Sequence, residues 1–237
     1  TVGAEYNYNG LHDRMLGYNR DIQQKVHVVG TYAQNEWKNE QWSVLVGARL
    51  EKHNMLRTVV VTPRATVRYT PLEGLVFRAG YSSGYRAPQA YDEDLHVAAV
   101  GGVVSLITLD PNLRPEYSHS ATLSTDWYRK FGAWEVNLTA EGFYTYLQDV
   151  FFLREDGHDA AGNVLFVRTN APGAWVGGLN LEGKLSLMLS NFNFQLSAGY
   201  TYQQSRYTQA QQWSADVAPQ KRMLRTPDNY AYFLFDM

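Results

Sequence analysis

The chain contains no cysteine. A disulfide framework and a Cys-ligated metal site are therefore both excluded. No apolar run approaches the ~18–20 residues of a membrane-spanning helix, and no stretch of useful length has the periodicity of an amphipathic helix. There is no excess of basic charge either: 21 Lys and Arg stand against 23 Asp and Glu, for a net charge of −2. With no basic stripe, that balance argues against a nucleic-acid partner. No leader-like segment opens the sequence, since Thr1-Val-Gly-Ala-Glu-Tyr6 already alternates like a strand. An exported protein would be represented here by a mature or excised piece.

Aromatic residues are abundant, at 14% of the 237 residues, with 17 Tyr, 10 Phe and 6 Trp. Their amphipathic rings suit an interface. Against a mean hydropathy of −0.38, which alone suggests a soluble globule, this excess is the first departure. The second is alternation with a period of two. Trp42, Val44, Val46, Ala48 and Leu50 oppose Ser43, Gly47, Arg49 and Glu51. Trp134, Val136, Leu138 and Ala140 oppose Glu135, Asn137, Thr139 and Glu141. The same pattern runs through 59–69, 75–86, 117–129, 179–189 and 192–203, and more weakly through 1–9 and 24–35, where Val26, Val28 and Tyr32 share a face. Pro63 within 59–69 is expected to mark an edge or a bulge, and Ala171-Pro-Gly173 is expected to be a bulge in one long strand over 164–189. A final strand begins within 223–237. The count is about ten strands, all antiparallel.

Two architectures fit such alternation. In a sandwich the apolar face is core, and Val44, Leu138 and Leu196 would be buried by a second layer. In a transmembrane barrel the apolar face meets lipid and the polar face lines the lumen. Runs of ten to twenty residues exceed the usual strand of ~5–6. Ten residues at ~3.3 Å, tilted ~40°, rise ~25 Å, the height of an apolar band between aromatic girdles. Connections also alternate in length. Turns near 37–40, 71–74, 130–132 and 190–191 are short, whereas loops near 10–21, 87–115, 154–163 and 208–221 are long, with 52–57 the exception. The reading is an all-β, antiparallel transmembrane β-barrel fragment, with Arg64, Arg68, Arg78, Arg86, Glu135, Glu141, Glu182 and Lys184 toward the lumen.

Six segments carry a family resemblance. They are Thr62-Pro-Arg64 with Val67-Arg-Tyr-Thr-Pro71, Tyr81-Ser-Ser-Gly-Tyr-Arg-Ala-Pro88, Asn112-Leu-Arg-Pro-Glu-Tyr-Ser118, Phe143 to Phe152, Asn170-Ala171 with Gly177-Gly-Leu-Asn-Leu-Glu182, and Leu224-Arg-Thr-Pro227. In this order they resemble the barrel portion of TonB-dependent outer-membrane receptors. The resemblance implies a wall of 22 antiparallel strands in the bacterial outer membrane, closed around an N-terminal plug and driven by the TonB complex. It implies a large, scarce solute such as a ferric siderophore, haem or cobalamin. Neither a plug nor a coupling box is recognisable in 1–237. The chain therefore reads as one partial β-barrel domain over 1–237, about half the wall, either closed or an open curved sheet, with a long extracellular loop at about 87–115.

Candidate ligand contacts are Tyr85, Arg86, Tyr91, Asp92 and His96, because tyrosine and arginine suit an exposed binding mouth. Each has a plainer reading. Arg86-Ala87-Pro88 ends a strand, and Asp92-Glu-Asp94 with His96 is first of all solvated loop charge. The histidines show no zinc spacing, no Ser/His/acid set is indicated, and Gly101-Gly102 lacks the strand and helix of a phosphate loop. Asn137-Leu-Thr139 is formally a glycosylation triplet, but lies mid-strand. No metal, cofactor or catalytic role is expected. The functional expectation is a transport receptor for a ferric siderophore, with a cobalamin or haem receptor as the alternative. An outer-membrane barrel enzyme and a soluble β-rich binding protein are the readings of other classes.

Overall fold

A computed structural model describes residues 1–18, 20–90, 98–100, 103–189, 192–212, 216–224 and 226–237. Apart from a single 3-10 turn at Leu16–Tyr18, the elements are strands. They are β1 (Val2–Met15), β2 (Arg20–Lys38), β3 (Trp42–His53), β4 (Val60–Leu72), β5 (Leu75–Arg86), β6 (Ala98–Val100), β7 (Val103–Leu109) and β8 (Glu116–Phe131). Then follow β9 (Trp134–Gln148), β10 (Phe151–His158), β11 (Val164–Asn170), β12 (Gly173–Leu189), β13 (Phe192–Gln211), β14 (Gln220–Arg222) and β15 (Asn229–Asp236).

Eleven strands make one antiparallel wall in the order β1-β2-β3-β4-β5-β8-β9-β12-β13, with β14 and β15 end to end beside β13. The wall is open, with β1 along one edge and β14 and β15 along the other. The connections β2–β3, β4–β5 and β8–β9 at one end are short, whereas the other end carries both the long connections after β5 and β9 and the short ones after β1 and β3. One transverse row of ladder partners runs Ala33, Ala48, Pro63 and, continued by one residue of register, Ser83, His119, Tyr146, Trp175 and Arg206. This row lies about 5–6 residues from the short-turn ends of β2 and β3 but about 14 from those of β12 and β13, a stagger of about 1.4 residues per strand. At ~3.3 Å per residue and ~4.8 Å between strands, the tilt is about 44°. That is the inclination of a barrel wall.

Direct antiparallel partners share a face, so the registers sort the side chains. Val46, Leu50, Phe77, Leu123, Trp134, Leu138, Leu181 and Phe192 fall on one face, and each is exposed. Leu138 is 48% accessible, and Val44 and Leu196 are only half-buried. No second layer covers them, which removes the sandwich. Glu135, Asn137 and Glu141 take the other face with Glu5, Arg49, Arg64, Arg78 and Asp126. There side chains link across strands: Asn180 donates to Glu141 at 3.1 Å, Thr201 donates to Asn180 at 2.9 Å, and Arg78 pairs with Asp126.

Several sequence expectations need correction. Val26, Val28 and Tyr32 do share a face, but it is the polar one: Val28 and Tyr32 align with His53 and Arg49, and Val26 is 4% exposed. The outward residues of β2 are Val29, Ala33 and Trp37. Pro63 sits in an inner strand, not at an edge. The ladder of β4 with β5 starts only at Arg64, so a missing donor at Pro63 costs that ladder nothing. The polar stretch 10–21 is largely strand, because β1 and β2 form a hairpin that stays paired out to Met15 and Arg20. The 154–163 segment likewise begins as β10.

Ala171-Pro-Gly173 is more than a bulge. It is where the chain leaves β11, in a second sheet, and enters β12, in the wall. The second sheet has the order β10-β11-β7-β6, and within it β11 and β7 pair in parallel. One strand of the 87–115 connection, β7, thus finds a partner in another connection, β11. Beneath this sheet Val150, Phe152, Ala171, Ala174 and Tyr207 form a buried cluster, with Phe152 edge-on to Tyr207 at 5.8 Å.

Candidate functional site at the long-loop mouth

The long connections converge on the polar face near its upper end. A cavity of ≈ 500 Å³ opens there between β1, β2, β3 and the end of β5. Its floor is a charge-balanced set. The Arg49 guanidinium donates to Glu51 at 2.8 Å and to Glu5 at 3.1 Å. To reach Glu5, Arg49 passes over β2 at Gly30, where a Cβ would stand 3.1 Å from its Nη2. A larger side chain at that crossing would have to displace the arginine.

The walls come from the connections. His53 is 4% exposed. Its Nδ1 accepts the Met55 N–H at 3.1 Å, so Nε2 carries the proton and donates to Gln89 Oε1 at 3.2 Å. Gln24 of β2 grips Ala90, accepting its N–H at 2.8 Å and donating to its carbonyl at 3.2 Å. These bonds fold the segment after β5 back across β3 and β2, and Gln89 completes the cavity.

Of the five predicted contacts, Tyr85 and Arg86 line this cavity. Tyr91, Asp92 and His96 lie outside the described residues. Strict alternation would turn Tyr85 away from the lumen, yet it lines the same cavity as Glu51. Here β4 and β5 are paired only from Arg64–Ser82 toward the short turns, so the last residues of β5 keep only their ladder with β8 and border the cavity on their other side. The Arg86 guanidinium sits 5.3 Å from the Phe151 ring centroid, a cation–π distance. Sequence reasoning missed Glu5, Asn7, Asn9, Arg49, Glu51, His53 and Gln89. The alternation marked Arg49 and Glu51 as inward, but nothing local ties them to Glu5 on β1.

A second cavity, ≈ 660 Å³, opens between the 55–58 turn and residues 109–117. The latter segment is fastened by Asn170, which accepts the Arg114 N–H at 2.8 Å and donates to the Arg114 and Asp149 carbonyls at 3.0 and 2.6 Å. Asp149 holds a left-handed backbone, φ 52, and its carboxylate pairs with Arg114 at 2.8 Å. Two motif segments meet here as ladder neighbours, Tyr85 opposite Tyr117 and Arg86 opposite Glu116. Among the described residues no three His, Asp or Glu side chains are grouped as a metal site. His12, His27, His53 and His119 bond to Asp21, Tyr6, Gln89 and Tyr81, not to a serine.

Comparison with solved structures shows the same fold. The siderophore receptor PirA of Pseudomonas aeruginosa superposes with a TM-score of 0.69 at 22% identity, over 87% of this chain and 39% of that one. PirA of Acinetobacter baumannii gives 0.68 at 15%, over 99% and 36%. A ferric enterobactin receptor mutant from Pseudomonas aeruginosa, in complex with enterobactin, gives 0.61 at 18%, over 85% and 32%. The chain thus spans under two-fifths of the length of these receptors. No curated protein matches it in sequence. The family model for the TonB dependent receptor-like beta-barrel matches residues 1–236. With all but the last residue within that match, the chain belongs to the TonB-dependent receptor-like β-barrel family.

Proposed function

We propose that this chain forms part of the wall and the outer loops of an active-transport receptor in a bacterial outer membrane. Its solute is a ferric siderophore or a similarly large, scarce compound, and its role is binding and passage, without bond-making chemistry. The observation that carries the reading is the polar, ion-paired cavity at the long-loop end of a tilted wall whose opposite face exposes leucine and aromatic rows. A lipid-facing exterior accounts for those rows, and the mouth accounts for the rigidly fastened connections. The structural neighbours named as siderophore receptors point the same way. In the whole protein a plug and the TonB complex would gate the passage and energise it, and 1–237 would serve as partial barrel, with 87–115 outside the cell.

The test is uptake by the full-length protein in a bacterium stripped of its own receptors. Growth under iron limitation is measured with a panel of ferric siderophores and with haem, alongside labelled cobalamin. Iron-chelate uptake that stops when TonB is deleted is the expected result. Cobalamin uptake alone would replace the solute assignment, and no energised uptake of any of them would overturn the reading.

A further inference from the structure

The exposed apolar face is not uniform. A groove of ≈ 600 Å³ crosses it where small residues replace large ones. Gly183 and Ala198 are direct partners at its floor, and Trp127, Leu138, Leu181 and Tyr200 flank it. A Cβ built on Gly183 would meet only the tip of Leu138, at 3.4 Å, so the protein leaves this space unfilled.

Further up the same face of β13, Arg206 is the direct partner of Arg222. Direct partners hold their Cβ atoms about 5 Å apart, and like charges so placed are destabilising. Asp228 engages Arg222 at 2.9 Å, and Arg206 has no carboxylate partner among the described residues. Asp228 thus neutralises only one of the two opposed guanidiniums. Their positive charge calls for an anion, and paired guanidiniums suit phosphate oxygens in particular.

The spacing joins the two features. Arg206 lies eight residues above Ala198, roughly 26 Å along the strand and about 19 Å along the axis of a wall tilted as this one is. Half of a bilayer's hydrocarbon core is about 15 Å. Tyr202, exposed on this face, stands between the groove and the arginines.

We propose that this strip holds a phosphorylated lipid of the outer leaflet, with an acyl chain in the Gly183–Ala198 groove and a phosphate between Arg206 and Arg222. The inference rests on the reading above that the wall stands in lipid. The full-length protein, purified and delipidated in detergent, is offered diphosphorylated lipid A, its dephosphorylated form, or lipid A with millimolar inorganic phosphate. Retained lipid is counted by native mass spectrometry, and the gel shift between heated and unheated samples reports barrel integrity. The phosphorylated form should be retained about tenfold better than the dephosphorylated one. Arg206→Gln with Arg222→Gln should lose that preference, while Arg206→Lys with Arg222→Lys, which keeps the charge, should retain most of it. Gly183→Leu with Ala198→Leu should fill the groove and reduce retention about as far. Equal retention of the dephosphorylated lipid, unchanged retention by the glutamine variant, or full competition by free phosphate would each overturn the proposal. A barrel that does not insert into lipid at all would overturn the wall reading with it.

Discussion

Arg49 on β3 reaches over β2 to bond Glu5 on β1, 3.1 Å away, lying across the bare backbone of Gly30. Three strands are tied on the polar face by one side chain, which crosses directly over the glycine paired with Glu5 on one side and Glu51 on the other. Gly30→Leu should push Arg49 aside, leaving Glu5 and Glu51 close together without their cation. Both partners are partly solvated, so the cost is about 1 kcal/mol. A lower urea midpoint for the barrel in vesicles would show it, and an unchanged midpoint would mean the crossing carries no stability.

The two faces of β9 should respond oppositely to charge. Leu138→Lys places an ammonium on the exposed apolar face near the middle of the wall, where the expected penalty is about 2–4 kcal/mol in lipid. Asn137→Lys, one residue away on the polar face, should be near neutral. Equal effects from the two substitutions would contradict the assignment of faces.

Asn170 fastens the 110–114 turn to the start of the β10–β11 hairpin through three hydrogen bonds. Asn170→Ala leaves their backbone partners unsatisfied, at a cost of about 1–3 kcal/mol. The expected readout is faster amide exchange across 103–114 and 149–170, with the wall strands unaffected. Exchange confined to the immediate neighbours of residue 170 would show that the second sheet holds without it.

At the mouth, Arg86→Ala should weaken solute binding by about tenfold, equivalent to about 1.4 kcal/mol. Tyr85→Phe, which removes only the hydroxyl, should weaken it less. Titration of the full-length receptor with its ferric chelate distinguishes the two. Wild-type affinity in both variants would move the binding site elsewhere on the rim.

The 159–163 turn lies outside the wall. Asp159 accepts hydrogen bonds from the Asn163 side chain at 2.8 Å and from the Ala161 and Asn163 N–H groups at 2.9 Å each. The Asn163 side chain, first, and then these backbone bonds hold its carboxyl pKa below the ordinary 3.8. A depressed carboxylate stabilises above its unfolded pKa, and that contribution is lost as pH falls through the lower, folded value. Carbon-detected titration of Asp159 should give a midpoint under 3.8, and Asn163→Ala should raise it. A midpoint at or above 3.8 would contradict the hydrogen-bonded turn.

How far the fold was legible depended on whether a residue's position was decided locally. Trp134 to Glu141 alternates without interruption, so its two faces follow from the pleat alone. Val26, Val28 and Tyr32 alternate equally well, yet they point inward. Hydrophobicity identified one face of β2 but could not say which way it looked, because Val26 is buried under the connection after β5. Pro63 read as an edge marker because its missing donor was counted against both neighbours, when β5 had already parted from β4 there. At the mouth, Tyr85 and Arg86 were visible as a strand end with binding-type side chains. Arg49, Glu5 and His53 were not, since their meeting depends on residues 44 and 36 positions apart in the chain.

By itself the sequence determined the period-two wall, the short turns at one end of it, and the family, because each is written in spacings of a few residues. Only the tertiary structure decided that 87–115 and 149–172 share a sheet, that Arg49 spans three strands, and that Arg206 faces Arg222. Register brings together side chains with no local relation, and register is set by the summed pairing of whole strands.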